Sequence, residues 1–391
     1  MIPDGMSLHT VKVQTMPAER PPRAIPAYVI GMVCAALVFV IGLLGGHVDG
    51  SATVFTGGYL HVGVALGWAV CAVLIALVVT RYLHIVANVD EGSGLAVGYD
   101  ALPVVLLAAW VVTIAAVVTH HWFLAAIGAV LSVYHVSLIV PRLLAARVPK
   151  WAKRAPTLEI VVANVFIDNK TPQDAAAQLV STVADIVIVV ESTEAFMAIF
   201  DDAGGSDAYP HRVSDPDDHS DYAVTVASKH ELGPRSRMTI IGPLRLAIAD
   251  ININGVSTLV VALNPMATVD PGGHETWKEQ IEALKEFVPT ITGPLIIAGD
   301  LNTTRYRPEF EELLELGLTD AIDALGKGLN PSFKLGAEGV LATVGAVARL
   351  DHALVNDMAF PLRVENLESC GSDHLPFKLK VAVRPTGVVT S

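Results

Sequence analysis

Charged side chains are scarce in this sequence, at 17% of 391 residues, while 52% are hydrophobic and the mean hydropathy is +0.52. That balance excludes an ordinary soluble globular protein, in which about a quarter of residues are charged. Cysteine is nearly absent. Cys34 and Cys71 fall inside apolar runs and Cys370 stands alone, which excludes a disulfide framework. The first apolar run begins about 25 residues in, without a small-residue cleavage site followed by a soluble domain, so it reads as an anchor rather than a cleaved signal peptide. No low-complexity segment occurs.

Basic residues are also few. The formal net charge is −13, and residues 1–149 carry six basic and six acidic side chains, so the whole imbalance belongs to the remainder. An acidic domain is a poor non-specific partner for nucleic acid, because phosphate-backbone affinity comes from Lys and Arg. It tolerates better a compact anion held through a divalent metal.

What the first part has instead is long hydrophobic runs. Residues 25–48, 58–83, 101–118 and 123–140 are each close to the roughly 20 residues that span a bilayer, and they predict four membrane helices. The last two are separated only by Thr119, His120, His121 and Trp122, which predicts a tight hairpin with an interfacial Trp. The organisation expected is a tail over 1–24, a transmembrane domain over 25–141, a basic linker over 142–156, an α/β domain over 157–384 and a tail over 385–391. Lys and Arg gather before the first run, at Arg81 and in the linker at Arg142, Arg147, Lys150, Lys153 and Arg154. The positive-inside rule assigns that side to the cytoplasm.

Beyond the linker, short apolar runs alternate with helical patterns. Strands are predicted over 158–165, 185–190, 222–228, 246–253, 257–263, 295–298, 350–355 and 376–383, with helices over 172–184, 275–287 and 308–316. Asn254-Gly255 joins two of the strands as a hairpin. The alternation predicts a layered α/β domain. Its polar residues fall at strand ends, where open α/β sheets place their ligands: Asn164, Glu191, Asp300 with Asn302, Asp351, and Asp373 with His374. Asp300 and Asn302 stand two apart, so continued extension would send both side chains from one face. One can ionise and the other only hydrogen-bond, a pair suited to water attacking phosphorus.

The words Ala163-Asn164-Val165, Val190-Glu191, Gly299-Asp300-Leu301-Asn302-Thr303-Thr304, Arg349-Leu350-Asp351-His352 and Gly371-Ser372-Asp373-His374-Leu375-Pro376 resemble, in order and spacing, the endonuclease/exonuclease/phosphatase superfamily. The resemblance implies a DNase-like four-layer α/β sandwich with a Mg²⁺ site at one rim, Mn²⁺ being the alternative ion. Membrane runs followed directly by such a domain resemble the VanJ-type proteins of actinobacteria, associated with glycopeptide resistance, whose domain lies on the outer face of the plasma membrane. That resemblance points to a multi-pass membrane protein with an extracytoplasmic domain, opposite to the charge rule. The sequence departs from those proteins in having a further leading run and His120-His121 at the hairpin.

Carried over by resemblance, Glu191 is the principal metal ligand, with Asn164 and Asp373 beside it. Asp300 orients or deprotonates the attacking water, Asn302 holds phosphoryl oxygens, and Asp373 fixes the ring of His374, which stabilises the charge built on phosphate. Asp351 lies beside that pair. Tyr222 and Asn164 contact substrate. Asn264 stands where the family usually carries a phosphate-contacting His, and it can donate a hydrogen bond but cannot shuttle a proton. His274, in the loop that follows, reads as a solvated side chain able to swing in. The activity expected is metal-dependent hydrolysis of a lipid-linked or headgroup phosphate ester. A nuclease, which the acidic domain disfavours, and a weakly catalytic binding module are the alternatives.

Overall fold

The computed structural model describes residues 58–87, 92–216, 222–338 and 345–385, so the expected run over 25–48 lies outside the described residues. Strand β1 (Thr157–Asn164) is buried along most of its length, and β2 (Ile186–Val190) along all of it. Both faces are covered, which is why their sequences are continuous β-branched runs rather than alternating ones. Alternate residues serve different layers. Ile160, Val162, Ile186 and Ile188 point into a central core, while Val161, Ala163, Val187 and Val189 point outward under helices Pro172–Ser181 and Glu194–Asp202.

β1 and β2 are parallel to each other and sit in a mixed sheet with β3 (His211–Ser214), β4 (Val224–Ser228), β13 (Ala359–Asn366) and β14 (Phe377–Val383). Its order is β13-β14-β1-β2-β4-β3. The second sheet is built from β5 (Arg237–Ile241), β6 (Leu244–Ile253), β7 (Val256–Leu263), β8 (Leu295–Asp300), β9 (Thr319–Asp320) and β12 (Asp351–Val355). Its order is β5-β6-β7-β8-β12-β9, again with a single parallel pair, β7 and β8. Phe333–Lys334 and Ala346–Ala348 form a small ribbon, β10 and β11. Ala247, Ala249, Val260, Ile296, Ala298 and Ala353 of the second sheet meet the first across the central core. The outer face of the second sheet is covered by helices Gly273–Phe287 and Pro308–Glu315. Helix, sheet, sheet and helix make the four layers of a DNase-like domain.

Two helices among the described residues are long and apolar enough to cross a membrane, Gly63–Val86 and Trp122–Leu143. The span expected over 101–118 needs correction: Leu102–Val118 passes the same test only together with Gly94–Asp100, against which it is bent by 69°. Pro103 starts a new helix just past Asp100, and the Asp100 carboxylate is turned out of the helix line toward Arg307. Close packing joins the helices at Gly128, where a Cβ would crowd Thr113 and the backbone oxygen of Ala109.

All of these helices meet the α/β domain at one end. Arg81 Nε donates to the Tyr306 backbone oxygen at 2.6 Å, His84 lies 3.8 Å from Glu309, and Arg142 lies 3.6 Å from Asp323. Trp68 and Phe123, with ring centroids 5.5 Å apart, and the turn at His120 mark the far end. Asp100 completes the seam with Arg307, whose side chain is fully buried. Removing one partner of a buried ion pair costs about 3–5 kcal/mol, a large part of the ~5–15 kcal/mol that holds a typical domain folded.

Candidate active site

Five strand ends from both sheets converge on one rim. β1 stops at Asn164 beside Val190, the last residue of β2, and Glu191 follows in a left-handed conformation with φ 60°. β8 stops at Asp300, paired directly with Asp351 at the start of β12, and His374 precedes β14. Gly299 is required where it stands, because a Cβ there would overlap the Leu263 carbonyl oxygen of β7.

The Asn164 amide bridges the sheets. Its Oδ1 accepts the Phe166 N–H at 3.0 Å, which turns Nδ2 toward two acids, Glu191 Oε1 at 2.8 Å and Asp300 Oδ2 at 3.1 Å. Glu191 Oε2 accepts the Ile167 N–H at 2.7 Å, and Asp300 Oδ1 accepts the Asn302 N–H at 2.8 Å. Ser372 Oγ ties the third strand in, donating to the Asn164 backbone oxygen at 2.8 Å and accepting the His374 N–H at 3.0 Å.

Three sequence expectations are corrected here. The carboxylate on the His374 ring is Asp351, not Asp373: Asp351 Oδ2 lies 2.7 Å from Nδ1, whereas Asp373 Oδ1 is buried with no hydrogen-bond partner among the described residues. Extension does not continue past Asp300, because Asn302 adopts φ 49°. The turn sends its amide the other way, donating to Asn264 Oδ1 at 3.2 Å and the Pro265 backbone oxygen at 2.9 Å. His274 is no solvated loop residue, since it is buried in the first turn of helix Gly273–Phe287. Tyr222 lies on the same flank as Asn264, its hydroxyl donating to Asp270 Oδ2 at 3.1 Å in the loop after β7. The word Arg-Leu-Asp-His also held a residue whose part sequence reasoning missed. His352 Nδ1 meets Asp320 at 2.7 Å and Nε2 reaches the Thr303 backbone oxygen at 3.2 Å, buttressing the turn from behind.

Burial sets the charges. It raises Glu191 to about 7, with the charge of Asp300 adding to the effect, and it raises Asp300 to about 6, with Asp351 adding. Burial opposes the charge on His374, yet Asp351 and Asp300 overcome it and hold the ring protonated up to about 10. His374 Nε2 stands 3.5 Å from Asp300 Oδ2, so an imidazolium lies between two carboxylates. Asp300, Asp351 and His374 have ligand-type atoms within 4.8 Å of one another and could hold a metal on spacing alone. Both nitrogens of that ring are already turned to carboxylates, Nδ1 to Asp351 and Nε2 to Asp300. The oxygen donors fit a divalent ion better: Glu191 Oε1 faces only a neutral amide, and Asp373 has an orphaned carboxylate oxygen. Such a donor set suits a hard cation of the Mg²⁺ or Mn²⁺ type.

Residues 161–374 match the family model of the Endonuclease/Exonuclease/phosphatase family. No curated protein matches the chain. Among solved structures, the chain is similar to D. rerio TDP2 humanized by 14 mutations, at 17% identity and a TM-score of 0.48, covering 58% of this chain and 99% of that one. It is similar to an endonuclease/exonuclease/phosphatase from Beutenbergia cavernae DSM 12333 at 15% identity and 0.45, covering 60% and 73%. Sphingomyelinase C from Streptomyces griseocarneus follows at 18% identity and 0.44, covering 57% and 99%.

Proposed function

Because the chain belongs to the endonuclease/exonuclease/phosphatase family, whose members are phosphoesterase hydrolases, we propose that it is a membrane-anchored, Mg²⁺-dependent enzyme cleaving a lipid-linked or headgroup phosphate ester. The observation that carries this reading is the seam: residues 304–311, directly after Asp300 and Asn302, are bonded to the ends of apolar helices through Asp100 and Arg81. Val111, Ile114, Val118, Trp122 and Val133 leave those helices with exposed apolar faces suited to lipid. A site held there works at the height of a bilayer surface, where a lipid substrate is concentrated.

Glu191 and Asp373 would hold the ion, which when bound supplies charge neutralisation at the phosphate and an acidified water, while Asn164, whose Nδ2 rather than its oxygen faces Glu191, would orient that carboxylate. Asp300, with its pKa near 6, is a base matched to neutral pH and accepts the proton of the attacking water. His374, fixed by Asp351, donates through Nε2 to a phosphate oxygen as negative charge builds there. Asn302, Asn264 and Tyr222 would orient the ester from the flank. The test is phosphate release by the full chain in detergent from polyprenyl phosphates, phospholipids, nucleotides and DNA, with and without Mg²⁺. Metal-dependent release from a lipid-linked ester is the expected result, and faster turnover of DNA would replace this reading with the nuclease.

The domain is placed on the extracytoplasmic side of the plasma membrane in this proposal, against the basic residues at Arg142 and Arg147. A reporter fused after Ser391 that works only outside the cytoplasm is the expected outcome. One that works only inside reverses the topology.

A further inference from the structure

Asp100 is the last acidic residue of the sequence before Glu159, and it closes helix Gly92–Asp100, where the helix dipole disfavours negative charge. Its hydrogen-bond partners lie in the α/β domain. Oδ1 accepts both the N–H and the hydroxyl of Thr304, each at 2.8 Å, and Oδ2 accepts Arg307 Nε at 2.8 Å and Nη2 at 2.5 Å. Thr304 is two residues beyond Asn302. Arg307 is fully buried, lies 4.9 Å over the Trp277 ring, and passes the connection on from Nη2 to Thr268 Oγ1 at 2.9 Å. Thr268 belongs to the loop that begins at Asn264 and Pro265, the two residues that accept the Asn302 amide. One carboxylate from the helical part therefore ties both loops between which Asn302 is held.

We infer that Asp100 is a positioning residue, and that its carboxylate against Thr304 and Arg307 makes the helical part a brace for the Asn302 turn of the hydrolytic site rather than a tether alone. The inference rests on the phosphoesterase reading above. Thr303 is already pinned from behind by His352, so the turn at Asn302 is held at two points, and Asp100 supplies the one on the side of the apolar helices. Loss of that point lets the turn relax without touching the β8 strand that carries Asp300. An ångström-scale shift of a positioning group is enough to slow chemistry about 100-fold.

The test compares the full chain with Asp100→Asn, Asp100→Glu and Thr304→Val, measuring kcat, KM and deuterium exchange. Thr304→Val removes one hydrogen bond to Asp100 and leaves Arg307 paired, so it remains informative where Asp100→Asn folds poorly. Expected are a fall in kcat of roughly 10- to 100-fold for Asp100→Asn with KM within about twofold, a smaller fall for Thr304→Val, and partial recovery in Asp100→Glu. Amides of residues 301–307 should exchange about tenfold faster or more, while those of β2 stay unchanged. Unchanged exchange at 301–307, unchanged kcat in both Asp100→Asn and Thr304→Val, or a uniform rise in exchange throughout the fold overturns the inference. Should the wild type hydrolyse nothing, the phosphoesterase reading falls. The exchange data then decide alone whether Asp100 orders the turn.

Discussion

Glu191→Gln is expected to lower metal-dependent hydrolysis by a hundredfold or more while the protein still folds. Side-chain volume is unchanged, but Glu191 accepts hydrogen bonds on both oxygens, from Asn164 and from the Ile167 N–H. Gln has one acceptor. Its NH₂ must face one of those donors, and the negative charge proposed to hold the ion is gone. A hundredfold loss corresponds to about 2.7 kcal/mol of transition-state stabilisation, within reach of a single metal contact. The pH dependence follows from burial, which raises Glu191 to about 7 and Asp300 to about 6. Both are raised, so both bind protons below neutrality, and a proton on Glu191 competes with the ion for the same oxygens. Calorimetric titration of Mg²⁺ or Mn²⁺ should give tighter binding at pH 8 than at pH 6 in the wild type and a flatter profile in the Gln variant. Undiminished turnover with unchanged affinity removes Glu191 from the metal site.

Asp351→Asn should slow hydrolysis on the order of 10²- to 10³-fold near neutral pH and change the shape of the pH profile. Asp351 is the nearer of the two carboxylates that hold His374 protonated up to about 10, and burial pulls the other way. Without Asp351 the ring loses its proton nearer its ordinary value of about 6.5, so activity should fall as pH rises above neutrality while the wild type stays level. Stability has a definite sign. A raised His374 contributes stability that is complete below its unfolded pKa and is lost as pH climbs toward 10. The melting-temperature gap between wild type and variant should thus be widest near pH 6 and narrow by pH 9.5. A gap that widens with pH contradicts a charged His374.

Much of the domain was legible because its central strands are buried on both faces and end in polar residues. Leu295–Asp300 reads as one apolar run with an acid at its end, and Asn164, Glu191, Asp351 and His374 do meet Asp300 at one rim. The edge strands were not legible. Arg237–Ile241 and Ala359–Asn366 are half-exposed, so no apolar run marks them. Roles within the rim also escaped. Asp373 is next to His374 in the sequence and Asp351 is 23 positions away, so sequence favoured the wrong acid, and only the antiparallel pairing of β12 with β8 brings Asp351 to the ring. A left-handed turn at Asn302 could not be read from an Asn that also suits an extended strand end. The seam was out of reach for a plainer reason. Asp100 and Arg307 are 207 positions apart, and neither lies in a word that the family resemblance covers.

The seam fixes more than the shape of a loop. A domain bonded to helix ends through Arg81, Asp100 and Arg142 cannot swing on a slack stalk, so its reach above the helices is set once the chain has folded. With the helices seated in a bilayer and a lipid-linked substrate, as proposed above, encounters would become collisions in a plane, counted per unit of surface rather than per unit of volume. In mixed micelles at fixed bulk substrate, adding inert detergent should slow the enzyme in proportion to the falling surface mole fraction of substrate, whereas hydrolysis of a water-soluble ester would proceed at an unchanged rate.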